Sequence, residues 1–284
     1  RYDLSVHADE IVSEGLWRRK LGASRTAMLF EREGAEVLLG PTLRKLVTAA
    51  KFNPSLPYLS FLCINFDVPV VKEAASWFLD GVFLNYNSSY LEQMLEQLLD
   101  EDDSPEVTRF LRAVDVRIDG FRVERAPEWR GQRVFVRHEV SGKAYELRLS
   151  EESAGTQKLM GLAAYLMTAL ERGGTVVVDE LDAKLHPKLL RYVILLFKDP
   201  EVNKSGAQLI FSSQDVSTMR NDVFRRDEIW FAARGEGEAS QLWSLADIHE
   251  ANGNLVSKNA AFDKQYLSGR YGADPYLTRI EEWD

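Results

Sequence analysis

Short segments that alternate apolar and polar side chains occupy the start of the chain. The segments YDLSVHA, EGLWRRKL, TAMLFER and AEVLLG show this alternation and are separated by glycine, serine and charged residues. A period of two places neighbouring side chains on opposite faces of a strand, and short strands joined by turn residues pair antiparallel. The pattern predicts an antiparallel β meander from Tyr2 to about Leu39.

Helical periodicity replaces this alternation from about residue 57 to residue 114. Ser89 and Glu92 have the spacing of a capping box at the start of YLEQMLEQLL. Ser104 followed by Pro105 supplies a cap and a first-turn proline for the next helix. The pattern predicts an insertion made of helices.

Strands and helices alternate in the rest of the chain. The segments GFRVERA, RVFVRHEV and AYELRLS return to a strand pattern. Beyond them, helices predicted at about 156–170 and 187–197 alternate with the apolar runs TVVVD and AQLIFSS, and a helix after Asp215 precedes EIWFAA and SQLWSLAD. Buried strands that alternate with helices predict a parallel α/β sheet, whose ligand sites lie at the carboxyl ends of its strands.

Composition and charge narrow the class of protein. The chain has 284 residues, of which 45% are hydrophobic, and a formal net charge of -9. A nucleic-acid partner would therefore need a local basic patch. Cys63 is the only cysteine, which excludes an internal disulfide and favours a reducing compartment, and its apolar neighbours predict a core position. No apolar run approaches the roughly 20 residues of a membrane span.

Three segments bring polar side chains to the edges of predicted elements. The run TVVVDE ends in Asp179 and Glu180, SEESAGTQKL places Ser153 and Gly155 before a long helix, and QLIFSSQD ends a second buried strand in two serines and Gln214. A strand that ends in carboxylates is a weak signal by itself. The two other polar segments, one before a helix and one at the end of a second buried strand, strengthen that signal.

The order of these segments resembles that of ABC-type ATPases. SAGTQ resembles the signature motif, VVVDE is similar to the Walker B strand, ELDAKLHP resembles the D-loop with its following helix, and FSSQD stands in the place of the switch loop. DPEVNKSGAQLIF, RRDEIWF and YLSGRYGADPYL resemble more narrowly the AAA-family ATP-binding proteins of bacterial phage-defence and abortive-infection systems. The resemblance covers roughly the last half of the chain, and the meander fits the antiparallel arm of such ATPases.

The resemblance implies a role for each motif residue. Asp179 would hold Mg²⁺ through its water shell, and Glu180 would polarise the attacking water as the general base. The helix after Ser153 would offer N–H groups and the serine hydroxyl to the γ-phosphate of ATP held by a second protomer, and Gly155 would allow close backbone approach. The residues implied to contact nucleotide are Ser153, Gly155, Thr156, Gln157 and, across the interface of a homodimer or higher oligomer, Asp182.

One departure from the family concerns the phosphate loop. No G-x-x-x-x-G-K-[ST] motif occurs in these residues, so nothing in them would grip the β-phosphate. Because the chain begins at Arg1 within the predicted arm, we expect that an upstream Walker A lobe is missing and that these residues alone are not a competent ATPase. The alternative is a natural pseudo-enzyme.

A second departure concerns the switch loop, where Gln214 stands in the place of the usual histidine. Glutamine can donate a hydrogen bond to a phosphate oxygen, but it cannot become a cation or shuttle a proton. This residue predicts slow hydrolysis, in which Gln214 is still a catalytic group. The alternative is that the position varies freely.

The sequence thus predicts an α/β fold, the P-loop NTPase sheet of an ABC-type ATPase head with an antiparallel β arm and a helical insertion. The arm would cover residues 1–48, the insertion residues 49–115, and the signature and Walker B lobe with its C-terminal tail residues 116–284. Around Arg270, the tail LSGRYGADPY is either a docking patch or a strap on its own domain.

The favoured function is an ATP-binding, slowly hydrolysing dimeric switch of an antiphage defence system, which controls a separate effector such as a nuclease or toxin. One alternative is a DNA-repair or chromosome-organising ABC-type ATPase, although the chain is acidic and has no long heptad repeat. Another is a binding scaffold without hydrolysis. DNA stays open as a partner, no membrane partner is expected, and the expected location is the cytoplasm.

Overall fold

The computed structural model describes residues 1–20, 22–48, 50–85, 105–114, 118–125, 132–234, 239–250 and 252–273. The chain divides into two compact units, Arg1–Gly81 and Val82–Asp284. The division at residues 48 and 115 made from the sequence stays a prediction. The predicted capping residues Ser89, Glu92 and Ser104 lie outside the described residues.

The first unit combines an antiparallel meander with two helices, and the predicted meander is confirmed. The strands pair in the order β1 (Tyr2–His7), β2 (Glu10–Arg18), β3 (Ala27–Glu33) and β4 (Glu36–Leu39). The helices are α1 (Tyr58–Asn65) and α2 (Pro69–Leu79). Strands and helices share one hydrophobic core, which includes Leu16, Leu29, Phe30, Leu62 and Val71, and Cys63 packs against it.

A buried ion pair joins the meander to the start of α1. Arg32 Nη1 lies 3.3 Å from Glu14 Oε2, and both side chains are fully buried. The Glu14 carboxylate also accepts hydrogen bonds from Tyr58 N at 2.6 Å and Leu59 N at 2.8 Å. The Tyr2 hydroxyl donates to Glu14 at 3.0 Å. Glu14 thus caps the first turn of α1 from a neighbouring strand, where a carboxylate is favoured.

The Arg32 guanidinium is satisfied on its other sides by backbone and an aromatic ring. It donates to Leu56 O at 2.8 Å, to Gly34 O at 2.6 Å and to Pro54 O. Its central carbon lies 4.9 Å from the centre of the Phe52 ring. A buried charge is tolerated only with such a full set of partners, so the pair ties four separate segments together.

The second unit carries the remaining elements. Its described strands are β5 (Val82–Asn85), β6 (Gly120–Arg125), β7 (Gln132–Val140), β8 (Lys143–Arg148), β9 (Thr175–Asp179), β10 (Gln208–Phe211), β11 (Trp230–Arg234) and β12 (Ser240–Ser244). Its described helices are α3 (Pro105–Ala113), α4 (Ala154–Arg172), α5 (Pro187–Lys198) and α6 (Phe262–Leu267). The predicted strands β6, β7 and β8 are confirmed, and they form an antiparallel sheet.

A parallel sheet in the order β10-β9-β5 places the polar strand ends at one edge. Val176 and Val178 of β9 lie in the core that also contains much of α4. On the opposite face Phe83 is 58% exposed and Ile210 is 48% exposed. The prediction of helix through residues 82–85 was wrong, because parallel pairing with β9, which is distant in sequence, determines the conformation of this short apolar segment.

Strands β11 and β12 pair with each other as an antiparallel hairpin, and the described residues do not place them in the parallel sheet. The helix predicted after Asp215 is only a 3₁₀ turn, Val216–Thr218. The tail packs on the hairpin, since Tyr266 stacks on Phe231 with ring centres 5.7 Å apart and Trp243 Nε1 donates to Tyr271 O at 3.2 Å. As far as Ala273, the tail is therefore bound to its own unit.

Among the described residues, no helix is both long enough and apolar enough to cross a membrane.

Candidate functional site

The carboxyl end of β9 presents Asp179, whose side chain is exposed and anchored by Ser212. Ser212 Oγ donates to Asp179 Oδ1 at 2.5 Å, and Glu180 N donates to the same Oγ at 2.8 Å. The backbones are joined as well, because Ser212 N donates to Val178 O and Leu181 N donates to Ser212 O, both at 3.0 Å. The end of β10 thus fixes the direction of the Asp179 carboxylate.

The chain turns sharply after β9, in a segment that we call the Asp182 loop (residues 180–186). Glu180 has φ of 54° and Lys184 has φ of 62°. These values lie in the left-handed region, which residues other than glycine seldom adopt. Ala183 N donates to Glu180 O at 3.0 Å and closes the turn. Non-glycine residues in this conformation persist where the surroundings hold them, and they concentrate at functional sites.

The Asp182 carboxylate holds the segment after β10, which we call the Gln214 loop (residues 212–215). Asp182 Oδ2 accepts hydrogen bonds from Gln214 N and Asp215 N, both at 3.2 Å. Asp182 Oδ1 is buried and has no hydrogen-bond partner within the described part of the chain. The Asp182 side chain therefore connects the two loops of the same chain.

The start of α4 is capped by the serine of the predicted motif. Ser153 Oγ accepts a hydrogen bond from Thr156 N at 3.1 Å and lies 2.9 Å from Thr156 Oγ1. A Cβ atom on Gly155 would lie 3.1 Å from Lys184 O, so the Asp182 loop passes closely over the start of this helix. Because a helix N-terminus favours anions, this end of α4 is suited to a phosphate group.

The Gln157 side chain is directed toward the segment that precedes α4. Its Nε2 donates to Glu152 O at 2.8 Å and to Ser150 O at 3.4 Å. His138 Nε2 on β7 lies 2.6 Å from Glu152 Oε1, which ties the same segment to the antiparallel sheet. The described geometry gives Gln157 a role in shaping the loop before Ser153, and its predicted contact with nucleotide stays a prediction.

Lys158 is a residue of this site that the sequence analysis missed. It is 4% exposed, and its Nζ donates to the carbonyls of Glu180 at 2.9 Å, Leu181 at 3.0 Å and Ala183 at 2.6 Å. Burial lowers the pKa of its ammonium group to about 8. A lysine on the apolar face of a predicted helix is the signal that could have identified it, since such a residue is seldom buried without partners.

His186 has a structural position at the start of α5. Its Nδ1 accepts a hydrogen bond from Lys188 N at 3.1 Å at the N-cap of α5, whose first residue is Pro187. This contact places His186 among the residues that shape the Asp182 loop.

Asp179 has the chemistry of one ligand of a magnesium ion that is shared with a phosphate. No group of three His, Cys, Asp or Glu side chains within the described ranges could hold a metal alone. Magnesium bound with a nucleotide needs only one or two carboxylates, the other ligands being phosphates and water. Asp179, exposed and held by Ser212, can supply one of them.

Comparison with family models gives one match. Residues 56–220, more than half of the chain, match the family described as "AAA domain, putative AbiEii toxin, Type IV TA system". No curated protein matches the chain. The family match agrees with the mixed α/β class predicted from the sequence, and the matched residues include every predicted site residue.

Solved structures of SMC proteins are similar to parts of the chain. The SMC head domain from Thermotoga maritima is 13% identical, with a TM-score of 0.43, over 84% of this chain and 74% of that one. A structure described as "Structural biochemistry of ATP-driven dimerization and DNA stimulated activation of SMC ATPases" is 16% identical, with a TM-score of 0.34, over 49% of this chain and 83% of that one. An Smc head domain with an extended coiled coil bound to the C-terminal domain of ScpA, from Pyrococcus furiosus, is 18% identical, with a TM-score of 0.33, over 49% of this chain and 34% of that one.

Proposed function

The chain belongs to the AAA-domain family of ATPases that matches residues 56–220, and from this premise we propose that the full-length protein binds and slowly hydrolyses ATP as a dimeric switch. The observation that carries the proposal is the edge where β9 and β10 end. There Asp179, Glu180, Asp182 and the Gln214 loop are joined by direct hydrogen bonds.

The carboxylates at this edge would divide the work of hydrolysis. Asp179 would hold Mg²⁺, which supplies charge neutralisation on the phosphates when it is bound. Glu180, the next residue, would accept the proton of the attacking water as the general base. Its backbone is held by Ser212 Oγ on one side and by Lys158 on the other, which would keep the base in place between turnovers.

The start of α4 would contribute to catalysis in trans. Ser153 and the first-turn N–H groups would contact the γ-phosphate of nucleotide held by the second protomer, and Gly155 would permit the approach. Thr156 and Gln157, at the same end of the helix, would also contact that nucleotide. Asp182 would lie at the same interface, where its hydrogen bonds to Gln214 N and Asp215 N would hold the Gln214 loop.

Light scattering of the full-length protein tests the dimer. Because ATP would lie between two protomers, we expect the mass to double at saturating ATP and to return to that of the monomer with ADP. Equilibrium dialysis with ATP runs beside it as the control for nucleotide binding. Bound ATP without any change in mass would contradict the dimer, and an absence of binding would favour the scaffold without hydrolysis.

Replacing Gln214 with histidine is expected to raise turnover. Histidine at this position could become a cation and move a proton, so kcat of Gln214→His should exceed that of the wild type by about tenfold or more. Steady-state phosphate release with saturating ATP measures the difference. Gln214→Asn, which keeps an amide, is the control, and a wild type as fast as the histidine variant would show that Gln214 does not limit the rate.

The partner of the proposed switch is a separate effector, such as a nuclease or toxin, in a cytoplasmic antiphage defence system. The family description names a putative toxin and a Type IV TA system, which supports a role in a system of this general kind and names no effector. The product of a neighbouring gene, co-expressed with the full-length protein, is the partner to test by co-purification with and without ATP. DNA is a further partner to test, by its effect on turnover.

A further inference from the structure

The Lys158 side chain crosses from α4 to the backbone of the Asp182 loop. An ammonium group has three N–H donors, and they match in number the three loop carbonyls within 2.6–3.0 Å of Nζ. The lysine is 4% exposed, among apolar residues of α4 such as Leu159 and Leu162. A charge is buried this far only when specific partners stabilise it, so the contact has a defined geometry.

The three carbonyls belong to the part of the Asp182 loop where the backbone adopts unfavourable, left-handed conformations. Glu180 opens the loop with φ of 54°, and the contacted Ala183 directly precedes Lys184, whose φ is 62°. These backbone conformations cost free energy, which the surroundings must offset. Lys158 contacts carbonyls on both sides of the turn and thereby favours the turned conformation over an extended one.

The support extends from the loop to the second strand end. Asp182, between two of the contacted residues, accepts hydrogen bonds from Gln214 N and Asp215 N. Gly155, one turn before Lys158 on α4, lies against Lys184 O. A continuous set of contacts therefore runs from the start of α4 through the Asp182 loop to the Gln214 loop, all within the second unit.

We propose that Lys158 is a positioning residue for the proposed ATPase: it fixes the Asp182 loop against α4 and so sets the placement of Glu180 and Gln214. This inference rests on the proposed function for its catalytic consequence. Lys158 is 4% exposed and its Nζ donates to backbone carbonyls of the loop, so it would act on the nucleotide through the loop. Movement of the start of α4, when it engages a phosphate, would be passed to the general base through this contact.

Hydrogen–deuterium exchange of the nucleotide-free, full-length protein tests the contact without depending on hydrolysis. In Lys158→Met we expect exchange of peptides covering residues 180–186 and 212–216 to rise by about tenfold, because three charge-assisted hydrogen bonds are lost. Lys158→Gln, which keeps a shorter neutral donor, is the second variant. The matched control is Lys204→Met, at an exposed lysine in the same unit, which should leave both peptides unchanged.

Kinetics of the same variants test the consequence. We expect kcat of Lys158→Met to fall by about tenfold to a hundredfold, with KM for ATP changed by less than about threefold, because a misplaced base slows chemistry and leaves nucleotide contacts intact. Lys158→Arg, which keeps the charge and several donors, should recover part of kcat. A merely structural lysine would not separate kcat from KM in this way.

The outcomes separate the two proposals. Faster loop exchange in a protein that neither binds nor hydrolyses ATP would support the contact and overturn the proposed function. Unchanged loop exchange or unchanged kcat in an active, folded Lys158→Met variant would overturn the positioning role. Loss of protection throughout the second unit in both Lys158→Met and Lys158→Gln would also overturn it, because Lys158 would then be a general core residue.

Discussion

Replacing Glu180 with glutamine in the full-length protein is expected to lower ATP turnover by at least about a hundredfold and to hold the protein in an ATP-bound dimer. Glutamine has nearly the shape of glutamate but cannot accept the proton of the attacking water. Two hydrogen bonds at this position involve the Glu180 backbone and not its carboxylate. Glu180 N donates to Ser212 Oγ, and Lys158 Nζ donates to Glu180 O. Binding of ATP should therefore persist while the step that separates the protomers is blocked.

Phosphate release and light scattering, measured on the same samples, check this expectation. Glu201→Gln is the matched control, since Glu201 is an exposed carboxylate of the same unit and lies after α5. It should leave both turnover and mass unchanged. If Glu180→Gln hydrolysed ATP at the rate of the wild type, Glu180 would not be the general base and the role of the β9 edge would have to be revised.

Replacing Arg32 with methionine is expected to destabilise the first unit by about 3–5 kcal/mol, because the Glu14 carboxylate would stay buried without its counter-charge. Methionine fills much of the same volume but donates no hydrogen bond. The carbonyls of Leu56, Gly34 and Pro54 would each lose a donor as well. Loss of one partner of a buried pair leaves the cost of burying the other without compensation.

Hydrogen exchange of amides in β2 and β3 measures the local free energy of unfolding. Lys72→Met is the control, because the Lys72–Asp67 ion pair in the same unit is exposed on both sides, and its loss should change exchange very little. Equal effects of Arg32→Met and Lys72→Met would mean that the buried pair contributes no more than a surface pair. The peptides of the second unit provide an internal reference.

Local patterns were sufficient to predict most elements of the fold. The meander, the strands β6–β8 and the helices α4 and α5 follow from periodicities of 2 and 3.6 residues, and β9 and β10 follow from uninterrupted apolar runs. Strand β5 was missed because it is only four residues long, and its strand conformation depends on pairing with β9. The prediction of a helix after Asp215 was also wrong. Asp215 caps only a 3₁₀ turn, in which its Oδ1 accepts a hydrogen bond from Ser217 N at 2.7 Å.

The candidate site was predictable only where its chemistry is contiguous in the sequence. Asp179 and Glu180 end an apolar run, so their position at a strand end could be foreseen. The partners of Asp182 could not, because Gln214 is distant in sequence and the hydrogen bond uses its backbone N–H, which every residue except proline possesses. The partners of Lys158 could not be predicted either. Its three acceptors are backbone carbonyls, which every residue has, so the residue types do not indicate them.

The buried contact between Glu14 and Arg32 also constrains how the first unit can diverge. A substitution at either position alone would destabilise the first unit. We therefore expect the two positions, although distant in sequence, to change together during evolution. Homologous sequences should therefore keep both residues or exchange both, with Tyr58 N and Leu59 N finding another acceptor in the second case. Covariation of this pair among homologous sequences would indicate that the two side chains are in contact, independently of a structure.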